Sequence, residues 1–260
     1  MPSSVWWEVI SMRDSAKRIY ILTKRNVKEI VRDPLTLIFM IAMPLFMEIL
    51  FYAIFHTMTS QFEMKYLAPG IAVFAQAFLS LFAGLLIALD RTTSFLTRLF
   101  VSKARPYEFI FGYTCALLPI VLVQSVLFFV VGGILDSSFW SVTMLLGVLL
   151  SLITAFFFIG IGILLGCLCT DKSVGGVASA IIAGQSLLSG MWFPTEGLGK
   201  GMLTLMRVLP FKNATMLLQN TVNGYTDLFA DVISPLLIVI AYATVAFVSA
   251  VIVFRRKMRA

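Results

Sequence analysis

The chain has 260 residues, 60% of them hydrophobic and 13% charged, with a mean hydropathy of +0.97 and a formal charge of +7. Soluble domains carry about 25% charged residues, so composition excludes that class and points to an all-α integral membrane protein. The basic residues flank the apolar runs and form no stripe, which argues for membrane topology and against a nucleic-acid partner.

The first 34 residues are densely charged and contain no apolar core of a cleaved signal, so the first span is expected to serve as the targeting signal. Within them, Ala16, Ile19, Tyr20, Thr23, Val27, Ile30 and Val31 recur at helical spacing, with Lys17, Arg18, Arg25, Lys28 and Arg32 on the other faces. That pattern predicts an amphipathic helix lying in the membrane interface, and Asp33-Pro34 ends it.

Six apolar runs follow, at 35–55, 67–89, 111–134, 143–166, 174–193 and 233–254. About 20 helical residues at ~1.5 Å each match a ~30 Å hydrocarbon core, so each run is predicted to span the bilayer. Sixteen Lys and Arg residues lie on the side of the termini and of the 90–110 loop, against four on the other side. This bias predicts cytoplasmic N- and C-termini, the latter in a basic tail at 255–260, and a cytoplasmic 90–110 loop.

Polar groups inside the spans are few. Glu48, in the first run, either faces a water-accessible path or subunit seam, or is hydrogen-bonded within the bundle. Gln76, Gln124 and Gln185 are further insertions of the kind that join helices. Pro44, Pro119 and Pro235 are expected to kink their helices. Gly162 and Gly166, in GILLG, suit close helix packing within the chain or between subunits.

The loop at 90–109, DRTTSFLTRLFVSKARPYEF, places Phe95, Leu96, Leu99 and Phe100 on one helical face, with Arg98 off it and Pro106 ending the element. A solvated basic loop would need no such stripe. After the fifth run, SLLSGMWFP breaks at Pro194, and a stretch to 232 alternates Gly/Pro breaks with semi-apolar pieces. Pieces too short to cross are expected to lie at the outer surface or to dip back as re-entrant helices. Catalytic signatures do not appear: His56 is the sole histidine, the three cysteines have no metal-site spacing, and no nucleotide-binding glycine loop can be formed around Gly199-Lys200.

Three segments in this order carry a resemblance: RDPLTLIFMIAMPLFMEILFYAIF, SFLTRLFVSKARPYEFIFG and LLSGMWFPTEGLGKGMLTLMRVLPFKNATMLLQ. Together they resemble the membrane subunit of ABC exporters of the ABC-2 type, over nearly the whole chain. The resemblance implies a six-span permease in the cell membrane that dimerises with a second permease copy. It also implies two separate ATPase subunits, which bind the ATP and Mg, so that this chain needs no cofactor and is not itself an enzyme. It assigns Phe95, Leu96, Arg98, Leu99 and Phe100 to ATPase coupling, and Glu48, Gln76 and Gln185 to the lining of the path. It assigns Gly190, Trp192, Phe193, Pro194 and Pro210 to the outer re-entrant turn. Export of a drug, antibiotic or amphiphile is the expected activity. A lipid-linked polysaccharide exporter and, in a different class, an ion-coupled secondary transporter using Glu48 are the alternatives.

Overall fold

The computed structural model describes residues 3–92, 105–193, 195 and 197–257, with side chains described from Ser15 to Arg256. Among the described residues every regular element is helical. Helix α1 runs Ser3–Val31, beginning well before the expected Ala16. It is followed by α2 (Pro34–Phe55), α3 (Met64–Thr92), α4 (Pro106–Leu135) and α5 (Thr143–Leu168). Then come α6 (Asp171–Leu188), α7 (Lys200–Val208), α8 (Pro210–Asn223) and α9 (Phe229–Arg256).

Five of these helices, α2, α3, α4, α5 and α9, are long and apolar enough to cross a membrane. The predicted fifth span corresponds to α6, an 18-residue helix that stops at Leu188, short of the expected 193. Asp171, Lys172 and the Gly, Ser and Gln residues along it keep it less apolar than the other five. It packs chiefly on α3.

Helix α3 is the centre of the bundle. In its most apolar window 78% of residues are buried, against 17% in α2 and 22% in α9, so the first and last spans lie at the periphery. Its sequence supplies the reason: Ala68, Gly70, Ala72, Ala75, Ala77, Ala83, Gly84 and Ala88 are small, and small residues let neighbouring backbones approach. The GILLG motif of α5 packs here. A Cβ on Gly162 would lie 2.5 Å from the Ser80 carbonyl oxygen, and one on Gly166 would lie 2.7 Å from that of Gly84. The motif is therefore used for packing within the chain.

Pro119 lies inside the unbroken helix α4, and at three other prolines the structure adds a detail the sequence did not supply. Pro44 has no N–H to offer the Met40 carbonyl, and a π turn over Ile38–Ala42 precedes it. The Gln124 amide of α4 donates to that carbonyl at 2.5 Å. Pro235 repeats the arrangement. A π turn covers Phe229–Ile233, and Asn220 donates to the Asp231 carbonyl at 3.2 Å. At Pro69 the Lys65 carbonyl accepts from Asn223 at 2.9 Å. In each case a side-chain amide from another helix donates to the acceptor four residues before a proline, a carbonyl that the proline cannot serve with an N–H.

Candidate functional site

The 93–104 segment, which contains Phe95, Leu96, Arg98, Leu99 and Phe100, lies outside the described residues. Its two flanks are described, and both are tied to α1. On the α4 side, Arg105 is the N-cap residue, and the Glu108 carboxylate reaches back to accept from its backbone N–H at 2.9 Å. Glu108 is fully buried. It also accepts from Arg18 Nε at 2.9 Å, from Arg18 Nη2 at 3.0 Å and from the Ser15 hydroxyl. Arg and Ser at positions 15 and 18 fall one turn apart on α1, so both reach the same carboxylate.

On the α3 side the acceptor is Asp90, which is 2% exposed. Arg25 engages it with both terminal nitrogens, and the buried Tyr113 hydroxyl of α4 donates to it as well. Burial disfavours the charged form of Arg25, yet the hydrogen bond and charge of Asp90 outweigh that and raise its pKa above the ordinary value. Glu29, one turn along, pairs with the same guanidinium at 2.7 Å. The next residue, Arg91, turns the other way. Its Nη1 lies 2.9 Å from the carbonyl oxygens of Gly166, Cys167 and Cys169, the orphan acceptors at the end of α5.

Two buried carboxylates and three arginines thus bind the flanks of 93–104 to α1 and to the end of α5. Charge-assisted forks of this kind are strong and directional; both carboxylates are buried, while the Arg18 and Arg25 side chains stay about one-third exposed. Among the described residues no cluster of His, Cys, Asp and Glu is placed to hold a metal ion.

The three polar residues assigned to the path are all buried, and they lie in different contacts. Gln76 donates to the Ser151 carbonyl at 2.9 Å and accepts from the Thr154 hydroxyl at 2.8 Å, joining α3 to α5. Gln185 donates to Thr215 at 3.1 Å, joining α6 to α8. Glu48 is fully buried on the face of α2 that also carries Met40 and Pro44, and neither carboxyl oxygen has a hydrogen-bond partner among the described residues.

The expected outer turn is assembled around aromatic rings. Gly190 takes φ +73°, a conformation that favours glycine, and turns the chain after α6. Trp192 then donates its ring N–H to Ser186 at 2.9 Å and packs against Phe51 of α2 and Phe74 of α3, with centroids 4.8 and 5.6 Å away. Phe193 is half-buried beside it, and Pro194 lies outside the described residues. Pro210 opens α8 at its first position, where a missing N–H costs nothing. Helix α8 is buried along one face, and its Gln219 donates to the Tyr66 carbonyl at 2.8 Å.

Sequence reading missed the carboxylates Asp90 and Glu108 as site residues. A signal was present: each lies within two or three residues of an Arg at the boundary of an apolar run, where a lone carboxylate is otherwise disfavoured.

Comparison with curated proteins finds no match. The family model described as ABC-2 type transporter matches residues 17–223, well over half of the chain, from α1 through the end of α8. With its apolar helices this makes the chain a multi-pass membrane protein, and it belongs to the ABC-2 type transporter family.

Proposed function

We propose that this chain is the permease subunit of an ATP-driven ABC exporter, moved by a separate ATPase that docks against the 93–104 segment and α1. The family is one of membrane transport subunits that typically work with an ABC ATPase. The observation that carries the reading is the pair of buried carboxylates. A push on the segment between Thr92 and Arg105 is delivered at once to α3 through Asp90, to α4 through Glu108 and to α1 through both. Since α3 is the central helix, motion at its end reaches every neighbour packed on it.

In this reading α6 is the fifth of six spans, α7 and α8 are the outer helices, and both termini face the cytoplasm, as the charge bias favours. The subunit works as a dimer with two ATPase copies. Binding of ATP favours one arrangement of the motors, and the tied flanks transmit that preference as a population shift. The cargo class is a drug, antibiotic or other amphiphile, in keeping with the 23 Phe and 13 Met of the chain.

Co-expression with the ATPase encoded beside it tests the proposal. A stable complex whose ATP hydrolysis responds to amphiphilic compounds is the expected result. Vectorial transport by the purified chain alone, driven by a proton gradient, would overturn it in favour of ion-coupled transport.

A further inference from the structure

Between α4, α5 and α9 runs an open groove of about 520 Å³, walled by Ile110, Phe111, Phe156, Phe247, Val248 and Ile252. Its walls are almost wholly apolar, and it extends along α9 from Ile240 to Ile252. Twelve residues of helix are about 18 Å long. That length is close to one leaflet of a ~30 Å hydrocarbon core, so the groove suits a single acyl chain lying along it.

Its end nearest the tied flanks is polar. The start of α4 and the end of α9 meet there, with the rings of Phe109 and Phe254 stacked 4.4 Å apart. Arg255 and Arg256 follow directly and lie one turn beyond Ile252, on the face that lines the groove; both are exposed. From the α4 side, exposed Arg105 reaches the Tyr107 hydroxyl at 3.4 Å, and Tyr107 itself lines the groove. The nearby carboxylate, Glu108, is fully buried and already paired with Arg18, so it does not neutralise this rim.

We propose that this groove binds one anionic phospholipid, its acyl chain between α4, α5 and α9 and its phosphate at Arg105, Arg255 and Arg256. Long apolar walls with cations at one end match the two parts of such a lipid, and each arginine near a membrane surface adds attraction for an anionic headgroup.

Native mass spectrometry of the purified full chain exchanged into phosphatidylglycerol or phosphatidylcholine tests it. Phosphatidylglycerol is expected to be retained more strongly than phosphatidylcholine. Arg255→Gln and Arg256→Gln should each weaken phosphatidylglycerol binding roughly fivefold and leave phosphatidylcholine unchanged. Thr244→Trp, which fills the groove from an exposed position, should remove the retained lipid of either kind. Equal retention of the two lipids, or phosphatidylglycerol binding indifferent to these substitutions, would overturn the proposal. So would cross-linking from position 244 that captures a second copy in place of lipid. The arginines are exposed and the melting temperature of their variants should match the parent, so loss of fold does not confuse the result.

Discussion

Arg25 and Asp90 meet as a two-pronged pair, both terminal guanidinium nitrogens on both carboxylate oxygens, with the Tyr113 hydroxyl on the same carboxylate. The contact joins residues 65 apart in sequence and fastens α1 to the end of α3. Asp90→Asn is expected to lower stability by about 2 kcal/mol. Breaking a fully buried pair costs ~3–5 kcal/mol, and Arg25 keeps partial access to solvent and to Glu29. In combination with Arg25→Gln the loss should be smaller than the sum of the two. Thermal unfolding of the four proteins in one detergent measures this; additive losses would mean that the two residues do not act as a pair.

The same pair predicts a functional split. Replacing Phe95 and Leu99 together with Ser should release the ATPase or uncouple its hydrolysis from transport, with the melting temperature of the membrane chain unchanged. Transport and ATPase rates measured on one reconstituted complex decide it. Full transport in the double variant would remove the 93–104 segment from the coupling path.

Gln124 offers a direct test of how the proline carbonyls are satisfied. Gln124→Leu strips the Met40 carbonyl of its side-chain donor and should cost about 1–3 kcal/mol. Adding Pro44→Ala returns a backbone N–H within reach of the same region and should recover part of that loss. A double variant less stable than Gln124→Leu alone would refute the compensation.

At Gly162 a methyl group would meet the Ser80 backbone at 2.5 Å. Backbone cannot rotate away as a side chain can, so Gly162→Ala should force α3 and α5 apart and cost about 1–3 kcal/mol. Gly175→Ala, where nothing lies within 4 Å, is the matched control and should be neutral or slightly stabilising. Equal melting temperatures for the two variants would contradict the packing described for the motif.

Glu48 is fully buried with no partner on either oxygen among the described residues. An unpaired charge at that depth is expensive, so Glu48→Gln is expected to keep or raise stability. Its effect on transport separates two roles. Unchanged export means a packing role, and export lost at full stability means that the carboxyl meets cargo or a proton.

The sequence by itself determined the class, most of the helices, the family resemblance and the basic helix that precedes the first span. These follow from hydropathy, which is summed over twenty neighbouring residues and survives any detail of packing. It read 174–193 as a span like the other five, whereas α6 is less apolar than they are, because Gly, Ser and Gln lower the hydropathy of a helix while fitting it to pack on α3. Only the tertiary structure decided what the isolated polar groups do. Gln76, Gln124 and Gln185 look alike as insertions in apolar runs, yet one bridges α3 to α5, one serves a carbonyl freed by Pro44, and one reaches Thr215. Asp90 and Glu108 read as ordinary loop charges until α1 is laid across both. A hydrogen bond depends on two groups meeting within about 3 Å, and helices distant in sequence bring those groups together only once the bundle has packed.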